Sequence, residues 1–250
     1  TALKPSELLY RIGNWKNQGI TPEEASSVAE TDKDHLAAMG YRRYQRDIAL
    51  RGAVDFDDLL LLTEKLFTEF PDVRDAEAGR FDHVMVDEYQ DTNGCQYRIV
   101  KGLAEAHRNL CVVGDDDQSI YGWRGAEVKH ILRFAKDWPD AKVVRLEDNY
   151  RSTDAIIQFS NRLIRCNTTR NDKTLKAARP NGEKPKIHQY DDEEEEAREV
   201  VRAIRLSTES KVFEPRDFAI LFRTNEQPRA FEAELRRQQI PYVLIGGMSI

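Results

Sequence analysis

Two adjacent carboxylates follow a short apolar run in the first half of the sequence. Residues 84–86 (VMV) are typical of a buried parallel strand, and Asp87 and Glu88 come directly after them. Open α/β sheets bind their ligands at the carboxyl ends of their strands. In such a position one carboxylate can hold Mg²⁺ and the second can activate water for phosphoryl transfer. The pair also fits an ordinary surface loop, because Asp-Glu pairs are common there.

A sheet is needed to position these carboxylates, and the surrounding pattern predicts one. Apolar runs at 110–113 and 142–146 each end in polar residues and precede a helical segment. Repeated β-then-α units favour a mostly parallel sheet with its site at one edge. Further strands are predicted at 186–190, 218–222 and 242–245. The predicted fold class is therefore α/β.

Residues 1–52 are predicted to be helical and strongly polar. Helix-start signals lie at Pro5 and at 21–24 (TPEE), where a proline precedes acidic residues. Tyr41 and Tyr44 lie three residues apart, the spacing of a helix face turned toward a core. Packing is the favoured role of both tyrosines.

An acidic run at 55–58 (DFDD) is predicted to cap the next helix. The apolar face predicted for that helix consists of Leu59, Leu62, Leu66 and Phe70. A metal cluster is the alternative for the acidic run, and helix capping is favoured.

Composition narrows the function class. A chain of 250 residues is long enough for one large domain or two small ones. A formal net charge of −6 argues against a globally basic nucleic-acid binder, although it does not exclude a local basic or aromatic groove. Three cysteines without C-x-x-C spacing indicate free thiols in a reducing compartment. The sequence contains no apolar run long enough to span a membrane and no charged-then-apolar leader, so neither membrane insertion nor secretion is expected. A cytoplasmic protein is expected instead.

Five stretches of the sequence resemble helicase motifs. Residues 86–93 (VDEYQDTN) look like the Walker B segment of UvrD/Rep-type superfamily 1 DNA helicases. Their third and fourth motifs resemble 113–126 (VGDDDQSIYGWRGA) and 146–153 (LEDNYRST), and weaker signatures match 53–59 and 221–229. The stretches occur in the family's order and with family-like spacing.

The resemblance implies incomplete RecA-like parallel sheets, of the P-loop NTPase type, flanked by helices and preceded by a helical subdomain. It divides the chain into three parts. Residues 1–52 would be the end of a helical accessory subdomain (1B-like). Residues 53–146 would be the C-terminal part of the first RecA-like domain (1A-like), and residues 147–250 the start of the second (2A-like).

One element of this family is missing from the sequence. No Gly-Lys pair occurs, so there is no phosphate loop of the form G-x-x-x-x-G-K-[ST]. The chain is therefore expected to be an internal piece of a helicase that does not turn over ATP alone. The family's strand before that loop is central, so self-association through an exposed sheet edge is also expected.

By resemblance, five residues would serve ATP and Mg²⁺. Asp87 would hold Mg²⁺ through water, with Glu88 beside it, and Glu88 would orient and deprotonate the attacking water. Gln118 would sense the γ-phosphate. Arg151 would act as an arginine finger and Tyr150 would stack on adenine. Without the motif, an ordinary surface salt bridge would be the favoured role of Arg151, and core packing that of Tyr150.

Single-stranded DNA and junctions of single and double strands are the expected macromolecular partners. Tyr121 and Trp123 lie in a loop with two glycines, where their rings could stack on bases. Arg124 and Arg223 are candidate contacts to the phosphate backbone, and Asn225 is a weaker one.

The leading hypothesis is thus an ATP-dependent helicase that moves 3′→5′ on single-stranded DNA. The alternative is a non-catalytic module that docks single-stranded DNA or protein. A metal nuclease built on Asp87, Glu88 and Asp115–Asp117 is disfavoured, because Asp115 and Asp117 also fit loop-shaping and capping roles.

Overall fold

The N-terminal part of the chain is a helical pair. The structure, a computed structural model, describes residues 3–245. Helix α1 (Pro5–Gln18) starts at its proline, and α2 (Asp32–Leu50) starts at a capping box between Thr31 and Asp34. Tyr41 is fully buried in the core between these helices and Tyr44 packs against it, so the predicted packing role is confirmed.

The predicted helix start at 21–24 was wrong. Thr21 and Glu24 bond to each other's backbone amides, at 2.9 Å and 3.4 Å, as a capping box would. Residues 22–27 nevertheless form turns, and the next helix begins only after the second box at Thr31. A local cap therefore did not suffice to propagate a helix through this polar segment.

A buried ion cluster joins α1 to α3 (Phe56–Glu69). Asp55 caps α3 and Asp58 completes the capping box, which confirms the predicted cap. The ammonium nitrogen of Lys16 lies 2.6 Å from Asp55 Oδ2 and 2.7 Å from Asp58 Oδ1. Lys16 and Asp58 are both fully buried, and the rings of Tyr41 and Tyr44 lie within 5.7 Å of the ammonium.

The apolar residues predicted to form one face of α3 are exposed. Leu59, Leu62, Leu66 and Phe70 are all 41–55% exposed, whereas Asp58 and Leu61 are buried. The side of α3 that carries the buried Asp58 packs against α1, because that is where Lys16 lies. The ion cluster thus sets the rotation of this helix.

The first sheet has two parallel strands. After α4 (Pro71–Ala78), strand β1 (Val84–Val86) pairs in parallel with β2 (Leu110–Val112), and α5 (Gly94–Ala104) makes the crossover. Both predicted strands and their direction are confirmed. Their predicted burial was wrong, since Met85 is 76% exposed on a sheet of only two strands.

The third strand predicted along the chain does not form among the described residues. Short helices α6 (Lys129–Leu132) and α7 (Phe134–Asp137) lead to 142–146, which was predicted as a strand but has no ladder partner within 3–245. Strand β3 instead covers Asp148–Thr153, and α8 (Asp154–Ile164) follows it.

Strand β4 (Lys176–Arg179) pairs in parallel with β3. The segment 170–186, rich in Asn, Lys, Gly and Pro, therefore contains a strand. Residues 176–179 pair with 148–153, and within 3–245 neither segment pairs with 142–146.

A second compact unit covers Glu183–Ile250, of which 183–245 is described. It contains α9 (Glu193–Glu209), capped by Asp192, and α10 (Pro228–Arg237), which packs on α9. The strands predicted at 186–190, 218–222 and 242–245 were wrong, because no ladder forms there among the described residues.

The described residues thus form a mixed α/β structure with short parallel sheets flanked by helices, which confirms the predicted fold class. Across 3–245, none of the helices combines the length and apolar character needed to cross a bilayer.

Candidate nucleotide site and its aromatic loop

The acidic pair lies at the carboxyl end of β1, where the chain turns sharply. Glu88 has a left-handed backbone, with φ of 49° and ψ of 42°, which is uncommon for a residue with a side chain. Its amide donates to Asp87 Oδ1 at 2.9 Å, and the next amide, of Tyr89, donates to the carbonyl of Val113 at 3.0 Å. Both carboxylates are exposed. The turn therefore presents two acids to solvent from a strained, fixed backbone.

Gln90 connects this turn to the end of β2. Its side chain is 1% exposed and donates to Glu88 Oε2 at 2.7 Å, while its carbonyl oxygen accepts from the Asp115 amide at 3.0 Å. A side-chain amide can donate and accept at once, which suits a bridge between two polar loops. Our sequence reasoning missed this residue. The one signal was an uncharged amide two residues after the acid pair.

Gln118 extends the connection. Asp115 caps a short 3₁₀ turn over Asp116–Gln118, and Gln118 Nε2 donates to Asp115 Oδ2 at 2.7 Å. A continuous hydrogen-bonded path therefore runs from Glu88 through Gln90 and Asp115 to Gln118. We call these four residues the relay. It brings together two of the predicted catalytic residues.

Two basic residues neutralise the acids that follow β2. Arg170 and Lys173 lie within 2.5–3.2 Å of the carboxylates of Asp115–Asp117. Burial would raise the pKa of Asp115, but hydrogen bonds from Lys173 and Gln118 outweigh it and lower that pKa below its ordinary value. Hydrogen bonds from Arg170 chiefly lower the pKa of Asp117. Sequence reasoning missed both basic residues, because nothing local pairs them with acids more than 50 residues earlier.

The aromatic loop, residues 121–125, begins three residues after Gln118. Tyr121 and Trp123 are 40% and 50% exposed, and their ring centroids are 6.3 Å apart with planes tilted by 43°. The Arg124 guanidinium lies 4.6 Å from the Trp123 ring centroid and 5.6 Å from that of Tyr121. A positive φ of 81° at Gly125 ends the turn. The loop therefore offers two aromatic faces and a cation together.

The remaining predicted site residues lie on β3 and in the segment before α10. Tyr150 and Arg151 are exposed on β3, and within 3–245 no hydrogen bond or ion pair joins them to Asp87, Glu88 or Gln118. Arg223 and Asn225 are exposed in the second compact unit, in the segment before α10.

Magnesium fits the acidic pair by donor type. Mg²⁺ is usually held by one or two carboxylates together with water and substrate phosphates, and Asp87 and Glu88 supply exposed carboxylate oxygens. In the described part of the chain, no group of three or more His, Cys, Asp or Glu is arranged to hold a metal. The carboxylates of Asp115–Asp117 are already engaged by basic side chains, which argues against the nuclease alternative.

Gly114→Ala is expected to destabilise the protein by about 1–3 kcal/mol through overpacking. An added Cβ would lie 2.5 Å from Gln90 Oε1 and 2.9 Å from Ile131 Cδ1, so the relay would have to shift. The matched control is Gly122→Ala, whose Cβ meets nothing within 4 Å. Urea unfolding followed by circular dichroism measures both. Equal midpoints for the two variants would contradict the packing described at Gly114.

Parallel strands flanked by helices, with polar loops gathered at the strands' carboxyl ends, place the chain in the α/β class. Residues 2–139 match the family model of the UvrD/REP helicase N-terminal domain, and 144–250 match that of the UvrD-like helicase C-terminal domain. The chain belongs to the UvrD/Rep helicase family, as its motifs indicated.

Similar proteins include helicases of staphylococci. The chain is 43% identical over 247 residues to the ATP-dependent DNA helicase PcrA of Staphylococcus aureus (strain Mu50), a match that covers 98% of this chain and 33% of the relative. It is 42% identical over 245 residues to PcrA of Staphylococcus epidermidis (strain ATCC 12228), again over 98% of this chain and 33% of the relative. The chain thus spans about a third of the length of these relatives.

Proposed function

We propose that this chain is the central part of an ATP-dependent DNA helicase that moves 3′→5′ on single-stranded DNA and unwinds duplex at strand junctions. The observation that carries the proposal is the relay from Glu88 to Gln118, which ends three residues before the aromatic loop. Such a connection can transmit the presence or absence of the γ-phosphate to a base-stacking surface. Family membership and the similarity to PcrA helicases support it.

In this proposal, the acidic pair performs the phosphoryl-transfer chemistry. Asp87 would hold Mg²⁺, which supplies charge neutralisation at the phosphates when bound. Glu88 orients a water and takes its proton, with Gln90 holding one carboxylate oxygen in place. Gln118 hydrogen-bonds the γ-phosphate or the water through its exposed amide. Loss of that contact would change the hydrogen bond that the same amide donates to Asp115.

Tyr150 and Arg151 complete the nucleotide site in the proposal. Tyr150 stacks on adenine, and Arg151 neutralises charge on the transferred phosphoryl group. Both side chains are exposed on β3, so both are accessible to a ligand.

The aromatic loop would bind single-stranded DNA. Base stacking on Trp123 and Tyr121 is sequence-tolerant, and Arg124 adds a positive charge next to both rings. Arg124 and Arg223 are assigned contacts to the phosphate backbone, and Asn225 a weaker one.

Two further parts of the proposal concern the chain by itself. The 250 residues contain no G-x-x-x-x-G-K-[ST], and we propose that they do not turn over ATP alone. Among residues 3–245 no further strand pairs with β1 or β2, and these open edges could support self-association through strand pairing. A cytoplasmic location also belongs to the proposal.

Trp123→Ala is expected to weaken binding of a fluorescent oligothymidine about 5- to 150-fold, the equivalent of about 1–3 kcal/mol for one stacked base. The matched control is Tyr10→Ala, which removes an aromatic ring of similar exposure from α1. Fluorescence anisotropy at fixed salt measures the affinity of each variant. Equal affinities for the Trp123 variant and the unaltered chain would refute the DNA-binding role. Loss of affinity in the Trp123 variant, together with DNA binding that an ATP analogue does not alter even when a phosphate loop is supplied, would favour the docking module.

A further inference from the structure

We propose that Arg170 and Lys173 are positioning residues that hold the relay and the aromatic loop in register with Glu88. The two residues and the carboxylates of Asp115–Asp117 together form what we call the clamp. The inference rests on the proposed function, since the register matters only if Glu88 and Gln118 serve one nucleotide.

Arg170 makes a two-point contact with the loop. Its Nε and Nη2 donate to the two carboxylate oxygens of Asp117 at 2.8 Å and 2.7 Å. The same Nη2 also donates to the carbonyl of Lys173 at 3.2 Å. The planar guanidinium therefore fixes the orientation of the carboxylate, which a single ammonium contact would not do.

Lys173 gathers the three acids around one charge. Its ammonium lies 2.7 Å from Asp115 Oδ1, 2.5 Å from Asp116 Oδ1 and 3.2 Å from Asp117 Oδ2. The amide of Asn171 adds a hydrogen bond to Asp116 Oδ2 at 2.8 Å. Three consecutive carboxylates repel one another, so the turn that carries Gln118 needs these cations to stay closed.

Burial distinguishes the clamp from ordinary surface ion pairs. The side chains of Arg170, Lys173 and Asp117 are 12–16% exposed, and that of Asp116 is 3% exposed. Exposed pairs usually contribute little because solvent screens them. Here several partly buried groups share hydrogen bonds, and the Asp115 carboxylate held by Lys173 also accepts from Gln118. The clamp therefore acts directly on a relay residue.

The clamp also joins two regions of the sequence. The acids belong to the stretch matched by the N-terminal family model, and the cations to the stretch matched by the C-terminal one. The cations follow β3 and α8 in the chain, and β3 carries the proposed nucleotide residues Tyr150 and Arg151. The clamp thus ties the loop that senses phosphate to the segment proposed to supply the arginine finger.

The test is hydrogen exchange by mass spectrometry on the 250-residue chain with Arg170→Ala and, separately, Lys173→Ala. We expect exchange of amides in 115–124 to rise about 2- to 30-fold, the effect of a coupling residue, while amides of α1 keep their rates. The control is Arg108→Ala, which removes an exposed ion pair with Asp140. Oligothymidine affinity should fall by a similar factor in the two clamp variants. The charge swap Arg170→Asp with Asp117→Arg should restore both readouts at least in part.

Two outcomes would overturn the inference. One is unchanged exchange in 115–124 in a folded Arg170 variant. The other is faster exchange throughout the first compact unit together with a lower unfolding midpoint, which would indicate a structural role only. Failure of the unaltered chain to bind oligothymidine would refute the DNA-binding part of the proposed function instead, because the exchange readout does not depend on DNA.

Discussion

Lys16→Met is expected to lower the free energy of unfolding of the first compact unit by about 3–5 kcal/mol, the effect of breaking a buried ion pair. Lys16 and Asp58 are fully buried, and Asp55 shares the same ammonium. Methionine keeps the length and apolar stem of the side chain but leaves the Asp58 carboxylate without its cation. The cost therefore comes from an uncompensated buried charge rather than from lost volume.

Urea unfolding followed by tryptophan fluorescence measures this effect, because Trp15 is stacked on Tyr41 in the same core, with ring centroids 6.1 Å apart. Lys65→Met is the matched control, since Lys65 is 53% exposed and pairs only loosely with Glu69 at 3.7 Å. The control should have the same urea midpoint as the unaltered chain. A Lys16→Met variant with that same midpoint would show that the ion cluster contributes little to stability.

Local patterns predicted the parts of the fold that are decided locally. The apolar run at 84–86 and the acids after it gave the strand and the turn of the candidate site. The cap at Asp55 follows from a side chain that bonds an amide three residues away, and in the structure Asn93 caps α5 in the same way. The family of the chain was also readable, because its motifs occur in order.

The predictions that failed depended on distant partners. Residues 142–146 and 218–222 have apolar strand composition, yet a strand needs a ladder partner, and composition does not show where one lies. The rotation of α3 depends on Lys16, a residue 39 positions before Asp55. Gln90 and the clamp escaped notice for the same reason, since their contacts join loops that are far apart in sequence.

Glu88→Gln is expected to lower kcat for ATP hydrolysis about 10²- to 10⁴-fold, the usual contribution of a general base, with little change in KM. The effect needs a phosphate loop, which the 250 residues do not contain. We would therefore place this chain in S. aureus PcrA, in exchange for the matched third of that protein. Glutamine keeps the size of the side chain and an oxygen that can accept from Gln90, so the relay should persist. Only the capacity to take a proton is lost.

Steady-state ATP hydrolysis by this chimaera, with and without single-stranded DNA, is the most direct test that Glu88 is the catalytic base of a helicase. The control is Glu105→Gln, an exposed acid at the end of α5, and the 250-residue chain alone serves as a blank. We predict DNA-stimulated turnover that Glu88→Gln lowers about 10²- to 10⁴-fold and Glu105→Gln preserves, with no turnover by the blank. A folded chimaera that hydrolyses ATP equally well with glutamine at position 88 would contradict the account.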